Sequence, residues 1–247
     1  MLLKHKTAVI TGSNKGIGRS VLETFSKNGA NIIACARNIS KEFQDEVEGL
    51  KKKYENKITI EKLDFNDENE SKETGSKINL QNKNIDILIN NAGSIHTSLF
   101  QMTPLGKFKE IFQINYFSQI VFTQQIIKNM IKNKNGSIVY ISSTSGLDGN
   151  EGRGAYSDSK AAIISKSKVL SKELGIFNIR VNSIAPGLTD TNMMTENTSK
   201  EKIKSTIENL SLKRFADPNE IANTALFLSS DLSSYITGQT IRVDGGM

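Results

Sequence analysis

The stretch TAVITGSNKGIG, residues 7–18, decides the fold. Its first part, Thr7–Ile10, is a short β-branched run that predicts a buried strand, and a helical pattern follows the last glycine. Gly12 permits a tight turn, Gly16 lets the backbone approach a phosphate, and Gly18 allows close helix packing. The N-terminus of the helix then offers free N–H groups and a positive dipole end to an anion. The stretch therefore predicts a dinucleotide-binding turn, with a plain glycine-rich turn as the alternative.

The rest of the chain repeats this alternation of short strands and longer helices. Helical patterns include a long amphipathic helix over 104–133, broken near its start, and a helix that ends near Leu174. Because such alternation implies right-handed crossovers, we expect an α/β fold: a single Rossmann-like, doubly wound parallel sheet of about seven strands, with helices on both faces. One domain is expected to cover residues 1–247. The remaining strands are predicted at residues 31–35, 57–63, 85–89, 137–141, 178–184 and 240–243.

Composition narrows the class of protein. At 247 residues and 37% hydrophobic, the chain can bury a core without a disulfide or a metal. The net charge of +6 is dispersed, which does not favour nucleic-acid binding, and no apolar run approaches the length of a membrane-spanning helix. The single Cys35 lies in an apolar run and indicates a reducing compartment, hence a cytoplasmic location. His5 and His96 are isolated, so we expect neither a metal site nor a catalytic histidine.

Tyr156 and Lys160 carry the chemistry that the chain suggests most strongly. Four positions apart on a helix, the two side chains share one face. An ammonium beside a phenol favours the phenolate, so we expect the pKa of Tyr156 to fall from about 10 towards the working range. Such a phenol can give or take a proton on a carbonyl or an alcohol. The spacing alone is weak, because chance gives it in roughly half of chains of this composition.

The end of the second strand bears on the choice of cofactor. An acidic residue there would bind the ribose hydroxyls of NAD, but Ala36 occupies the expected position and Arg37 follows it. Lys15 lies in the glycine-rich turn itself. Two cations and no acid favour a 2′-phosphate, which predicts NADPH/NADP+. The alternative is that both are ordinary surface charges.

Other small or polar motifs follow later strands. Asn90–Gly93 comes after the fourth strand, Ser142 and Ser143 end the fifth, and Pro186 with Gly187 ends the sixth. The carboxyl ends of parallel strands lie along one edge, where ligands of such sheets bind. From physics alone, a structural turn or a strand-end cap explains each motif equally well. The polar stretch 189–204 is predicted to form a flap over a substrate.

Together these motifs resemble the short-chain dehydrogenase/reductase family, and within it most closely the bacterial 3-oxoacyl-[acyl-carrier-protein] reductases. The resemblance covers nearly the whole chain, including the 13-residue interval from Ser143 to Tyr156 and the tail from Asp217 to Gly246. It implies a dinucleotide-binding catalytic domain with Asn115, Ser143, Tyr156 and Lys160 as its catalytic residues. It further implies cofactor contacts from Gly12, Ser13, Asn14, Lys15, Gly16, Ile17, Gly18, Arg37, Asp64, Phe65, Asn91, Ala92, Gly93, Tyr156, Lys160, Pro186, Gly187 and Thr189.

The resemblance also implies an activity and partners. The expected reaction is NADPH-dependent reduction of a 3-oxoacyl thioester on acyl carrier protein, within fatty acid biosynthesis, by a homotetramer. Lys134 lies where the carrier-protein reductases place one docking arginine, whereas Phe177 lies where they often place a second; Lys132 or Arg180 could replace it. Two alternatives stay open, namely a reductase or dehydrogenase of another small ketone or alcohol and a non-catalytic dinucleotide sensor.

Overall fold

Seven parallel strands form one continuous sheet in the computed structural model, which describes the backbone throughout and the side chains of residues 1–199 and 201–247. The strands are β1 Thr7–Thr11, β2 Asn31–Ala36, β3 Ile58–Lys62, β4 Ile87–Asn90, β5 Gly136–Ile141, β6 Ile179–Pro186 and β7 Thr240–Val243. Their order is β3-β2-β1-β4-β5-β6-β7, so the chain winds outward in both directions from the β1–β4 pair. The expected doubly wound sheet is confirmed, and each of the seven predicted strands is present with slightly shifted ends.

Helices connect successive strands. They are α1 Gly16–Lys27, α2 Lys41–Tyr54, α3 Glu68–Gln81, α4 Leu105–Phe112, α5 Ser118–Asn133, α6 Ser145–Asp148, α7 Gly154–Leu174, α8 Asn192–Asn197, α9 Lys200–Asn209 and α10 Pro218–Ser229. Among the described residues, none of these helices combines the length and the apolar character needed to cross a bilayer.

The two faces of the sheet bury separate apolar clusters. Along β1, Ala8 and Ile10 face the cluster covered by α1, α2 and α10, whereas Val9 faces the cluster covered by α3, α5 and α7. Side chains of a strand alternate between faces, so both faces are apolar only when helices cover both. This arrangement leaves the carboxyl edge of the sheet as the place where polar side chains gather.

The helix α10 was not predicted as an element, although its start carries a recognisable signal. The Asp217 side chain accepts a hydrogen bond from the backbone N–H of Asn219, while the Glu220 carboxylate accepts one from the backbone N–H of Asp217. Pro218 occupies the first helical position, where its missing N–H costs nothing. The helix packs against α1 through buried residues such as Ile221.

The predicted long helix over 104–133 is interrupted in its middle rather than near its start. Residues Gln113–Phe117 form one wide π-helical turn between α4 and α5. Such turns insert an extra residue into a helix and are frequent at functional sites. Asn115 lies fully buried at the centre of this turn.

One buried amine on α7 has no polar partner. Lys166 Nζ lies 4.9 Å from the ring centroid of Tyr140 and 5.3 Å from that of Tyr116. Within the described side chains and backbone, it meets no hydrogen-bond acceptor. Burial lowers the pKa of Lys166 from 10.5 to about 7. The folded protein therefore releases this proton near pH 7, whereas the unfolded chain holds it until about pH 10.5, so the cost to stability is full below pH 7 and fades above it.

We expect Lys166→Met to raise the free energy of unfolding at pH 7 by about 1–3 kcal/mol, because it removes an unpaired buried charge and keeps the apolar stem. Urea unfolding at pH 7 and at pH 10 measures the effect, and the gain should shrink at the higher pH. Lys168→Met, at an exposed position of the same helix, is the matched control and should change stability little. A loss of stability in Lys166→Met would contradict this account of the amine.

Candidate active site

The predicted motifs meet at one edge because every strand of the sheet runs in the same direction. β1 ends at Thr11, β4 at Asn90, β5 at Ile141 and β6 at Pro186, and each motif begins at or just after its strand end. The structure thus brings together the glycine-rich turn, the Asn91–Gly93 loop, Ser143, the Tyr156 helix and the Pro186 turn.

The Thr11 hydroxyl ties two of these motifs into one unit. Its oxygen accepts hydrogen bonds from the backbone N–H groups of Asn91 and Ala92, both at 3.0 Å, while the hydroxyl donates to the Ile89 carbonyl at 3.3 Å. The Asn91 amide nitrogen returns hydrogen bonds to the carbonyls of Thr11 at 2.9 Å and Gly12 at 3.1 Å. The side chain of Asn91 therefore fixes the glycine-rich turn rather than lying free for a ligand.

Two glycines of the turn are required by geometry. Gly12 has a φ of +65°, a conformation that side chains rarely adopt. A Cβ atom on Gly18 would collide with the carbonyl oxygen of Gly12 and the amide nitrogen of Asn91. The turn is thus packed so closely that neither Gly12 nor Gly18 can carry a side chain without displacing its neighbours.

The start of α1 offers an anion-binding surface that fits a dinucleotide phosphate. No side chain of the described residues caps it, and its first turn carries no acid. Ser13 is turned inward, with its N–H and its hydroxyl each donating to the Cys35 carbonyl at 3.1 Å. Asn14 donates to the Asn38 carbonyl at 3.3 Å and ties the turn to the end of β2. Lys15 and Arg37 are both exposed beside this surface.

The residues that follow β3 and β6 lie towards the two ends of the carboxyl edge of the sheet. Asp64 accepts hydrogen bonds from the backbone and side chain of Asn66, and it is half-buried. The Phe65 ring is buried edge-on against Phe122 at a centroid distance of 5.8 Å, so only its backbone is placed to meet a ligand. Beyond β6, a Cβ atom on Gly187 would lie 2.8 Å from Asp244.

The Asn115 side chain binds three groups at once. Its Oδ1 accepts from the Ser94 N–H at 2.8 Å, and its Nδ2 donates to the Ser94 carbonyl at 2.9 Å and to Ser159 Oγ at 3.0 Å. Ser159 Oγ in turn donates to the Tyr156 carbonyl at 2.7 Å. The wide π turn displaces Asn115 from a regular helical position and joins the loop after β4 to α7.

Lys160 is buried at the end of β5. Its Nζ donates to the Ile141 carbonyl at 2.8 Å, and the Ser142 hydroxyl donates to the Lys160 carbonyl at 2.9 Å. A Cβ atom on Gly93 would lie 3.4 Å from Lys160 Nζ and 3.2 Å from Asn115 Oδ1, so the amine and the amide approach the same glycine. Burial lowers the pKa of Lys160 to about 8, which brings its proton exchange near neutral pH.

The expected lowering of the Tyr156 pKa by Lys160 is wrong for this structure. Burial raises the pKa of Tyr156 above its ordinary value, and the groups that oppose this shift are the Ser143 hydroxyl and the Arg153 guanidinium. Lys160 Nζ lies 5.7 Å from the centroid of the Tyr156 ring and directs its hydrogen bond to Ile141 instead. Ser143, itself almost fully buried, is the side chain that most opposes this rise of the pKa of Tyr156.

Arg153 is a residue of this region that the predicted site omits. It lies one turn before Tyr156, and its Nη2 donates to the Asn197 carbonyl at 2.7 Å and to Thr198 Oγ1 at 2.9 Å. These acceptors lie at the end of α8, within the predicted flap, and Thr191 at its start packs against Gly16. A basic side chain three positions before Tyr156 is the signal that could have identified it.

Comparisons with known proteins agree with this geometry. Residues 12–247 match a protein-family model described as Enoyl-(Acyl carrier protein) reductase. The chain is 38% identical to the 3-oxoacyl-[acyl-carrier-protein] reductase FabG of Thermotoga maritima, over all of this chain and 99% of that relative. The chain belongs to the short-chain dehydrogenase/reductase family.

Two solved structures show how widely this short-chain dehydrogenase/reductase fold is used. One is a proposed NAD(P)-dependent gluconate 5-dehydrogenase of Beutenbergia cavernae with bound NADP, 27% identical with a TM-score of 0.90, covering 98% of this chain and 96% of that one. The other is a 7α-hydroxysteroid dehydrogenase complexed with NADH and a 7-oxo bile acid, 31% identical with a TM-score of 0.92, covering 99% and 94%. The fold therefore does not by itself choose the substrate or the cofactor.

We expect Gly18→Ala to destabilise the protein by about 1–3 kcal/mol or more, because the added methyl group displaces the Gly12 carbonyl and the Asn91 amide. Gly49→Ala on α2, where a methyl group meets nothing within 4 Å, is the matched control and should stabilise slightly through helix propensity. Urea unfolding of both variants measures the difference. Equal stabilities of the two variants would show that the turn is not packed as described.

Proposed function

We propose that the chain is an NADPH-dependent 3-oxoacyl-[acyl-carrier-protein] reductase, which converts a 3-oxoacyl thioester to the 3-hydroxyacyl product in fatty acid biosynthesis. The observation that carries this proposal is the convergence of Asn115, Ser143, Tyr156 and Lys160 at one sheet edge. Asn115 and Tyr156 are linked through the Ser159 hydroxyl, and Asn115 and Lys160 both lie close to Gly93. The full-length similarity to a bacterial relative of that name supports the substrate class.

The cofactor part of the proposal depends on the charge around the first turn. The start of α1 would hold the pyrophosphate, and Asp64 would contact the adenine side. Lys15 and Arg37 are exposed cations beside the end of β2, where Ala36 stands in place of a ribose-binding acid. A 2′-phosphate would satisfy both cations, which favours NADPH over NADH.

The proposed chemistry assigns one role to each side chain. A bound reduced dinucleotide supplies the hydride. Ser143 and Tyr156 donate hydrogen bonds to the ketone oxygen as negative charge grows on it, which stabilises the transition state. Tyr156 then passes its proton to that oxygen. Burial keeps the Tyr156 phenol protonated before the reduction, and the Ser143 hydroxyl and the Arg153 guanidinium, which oppose the rise of its pKa, favour release of that proton.

Lys160 and Asn115 restore the proton after turnover in this proposal. The ammonium of Lys160 has a pKa of about 8, close enough to neutral pH to exchange protons readily. Asn115 Oδ1 and Lys160 Nζ both lie close to Gly93, and in this proposal a water next to them passes the proton from solvent to Lys160. The Ser142 hydroxyl fixes the backbone of Lys160, and the Ile141 carbonyl fixes its amine.

A carrier-protein partner would use the basic end of α5. Lys132 and Lys134 are exposed there, and the left-handed conformation of Lys134 ends the helix. Arg180 does not compensate for the docking arginine that Phe177 replaces, since its guanidinium is half-buried and donates to the carbonyls of Ser230 and Ile236. Phe177 packs against the core. We propose docking through Lys132 and Lys134 to the acidic carrier protein.

The assembly and location are part of the same proposal. Exposed apolar side chains cluster before and within the interrupted helix, among them Phe100, Met102, Leu105 and Phe117. Such a patch is typical of a contact between subunits, and we propose that the assembly is the homotetramer that the family resemblance implies. The lone Cys35 thiol is buried and its pKa is raised, so it is unreactive, which suits the reducing cytoplasm.

We expect Tyr156→Phe to lower kcat by about 10²–10⁴-fold, because the variant keeps the ring but lacks the proton donor. Tyr235→Phe, at a fully exposed tyrosine, is the control and should retain wild-type activity. Both are measured by NADPH oxidation at saturating substrate, with nucleotide binding followed separately. Turnover by Tyr156→Phe at the wild-type rate would remove Tyr156 as the acid.

The substrate and cofactor are tested together by a side-by-side assay. We expect kcat/KM to be highest for a 3-oxoacyl thioester on carrier protein, lower for free monoketones and sugars, and higher with NADPH than with NADH. Reduction of another ketone without turnover of the acyl thioester would refute the proposed substrate. A preference for NADH would refute the assigned roles of Lys15 and Arg37.

A further inference from the structure

Two polar side-chain atoms at the mouth of the candidate site are buried without partners. Arg153 Nη1 and His96 Nε2 are both shielded from solvent, and within the described residues neither has a hydrogen-bond partner. Leaving such a group unsatisfied costs about 1–3 kcal/mol, and more when it is charged. Native structures seldom retain this cost unless a ligand, a water or a partner relieves it.

The two residues belong to segments that meet at one point. The Asn197 carbonyl accepts hydrogen bonds from Arg153 Nη2 at 2.7 Å and from Thr97 Oγ1 at 3.3 Å. Arg153 and the residue that follows His96 therefore share one acceptor. The Ser98 N–H donates to the Gly152 carbonyl at 2.9 Å, which joins the same two loops again. The two loops that carry the unpartnered atoms are therefore tied to each other and to the end of α8.

This region borders the phenol that is the proposed acid. Arg153 lies three residues before Tyr156, at the start of α7. Its positive charge acts on the phenol and opposes the rise of the Tyr156 pKa. Arg153 is thus a cation at the start of α7 whose charge would act on a substrate held at Tyr156.

The contacts with the end of α8 use only part of the hydrogen-bonding capacity of the Arg153 guanidinium. Nη2 alone supplies both hydrogen bonds to the end of α8, whereas Nη1 points to no acceptor of the described chain. A guanidinium binds best when a planar acceptor engages its N–H groups in parallel. The Nη1 N–H groups of Arg153 therefore have no acceptor among the described residues, and a planar acceptor on a ligand would satisfy them.

We propose that Arg153, assisted by His96, binds a second acceptor oxygen of the substrate, carried two carbons from the ketone that is reduced. This inference rests on the proposed reduction of a ketone at Tyr156. The ligand class is a 1,3-dicarbonyl, in which the second oxygen is either the thioester carbonyl of a 3-oxoacyl group or the carboxylate of a 3-oxo acid. Arg153 is thus a specificity-determining residue that favours such substrates over isolated ketones.

The test compares three substrates across matched variants. Wild type, Arg153→Met, Arg153→Lys and Thr198→Val are assayed with acetoacetyl-N-acetylcysteamine, acetoacetate and cyclohexanone. We expect Arg153→Met to lower kcat/KM for one or both 1,3-dicarbonyls by about tenfold or more, and for cyclohexanone by less than about threefold. Arg153→Lys should recover part of the loss. Thr198→Val removes one flap contact but keeps the guanidinium, and should change all three substrates alike.

The outcomes separate this inference from its alternatives. A loss confined to acetoacetate identifies the carboxylate as the acceptor, and a loss confined to the thioester identifies the thioester carbonyl; both support the inference. Equal losses for all three substrates, or none, overturn it, because a residue that only fixes the flap cannot discriminate among them. If wild type reduces acetoacetate in an Arg153-dependent way but not the thioester, the proposed function fails and this inference stands. Circular dichroism and urea unfolding check that each variant is folded.

Discussion

The hydrogen bonds of the Asn115 carboxamide are the constraint on which the candidate site depends. One side chain holds both backbone groups of Ser94 and the hydroxyl of Ser159, and so joins the loop after β4 to the helix of Tyr156. The helix that carries Asn115 gives up its regular hydrogen bonds over one π turn to make this possible. Without this connection, Lys160 would still tie α7 to the end of β5, but the link between α7 and the loop after β4 through Asn115 would be lost.

Two buried amines of α7 show how differently the same side chain is used. Lys160 has the Ile141 carbonyl as its acceptor and lies at the sheet edge, whereas Lys166 lies between aromatic rings without a polar partner. Burial lowers the pKa of both, so a perturbed pKa alone does not identify a functional lysine. Position decides the matter, because only Lys160 adjoins Gly93 and Asn115.

The sheet and the gathering of motifs at its edge could be predicted because both follow from local patterns. Alternating β-branched runs and helices imply parallel strands, and parallel strands place every following loop on one side. The π turn could not be predicted, because it arises from Asn115 reaching Ser94, a contact between distant segments. The predicted lowering of the Tyr156 pKa is wrong for a similar reason. The four-residue spacing shows neither the burial of the phenol nor that Lys160 donates its hydrogen bond to the Ile141 carbonyl. The contacts of Arg153 could not be predicted, because its partners in the flap lie about 45 residues away.

A crystal structure of the protein with NADP+ and a 3-hydroxyacyl thioester tests the account most directly. The account predicts the pyrophosphate at the start of α1 and the 2′-phosphate beside Arg37. It also predicts that the product hydroxyl accepts or donates hydrogen bonds with both Ser143 and Tyr156, with Lys160 on the opposite side of the phenol. A dinucleotide bound away from the carboxyl edge of the sheet, or a product hydroxyl that contacts neither Ser143 nor Tyr156, would contradict it.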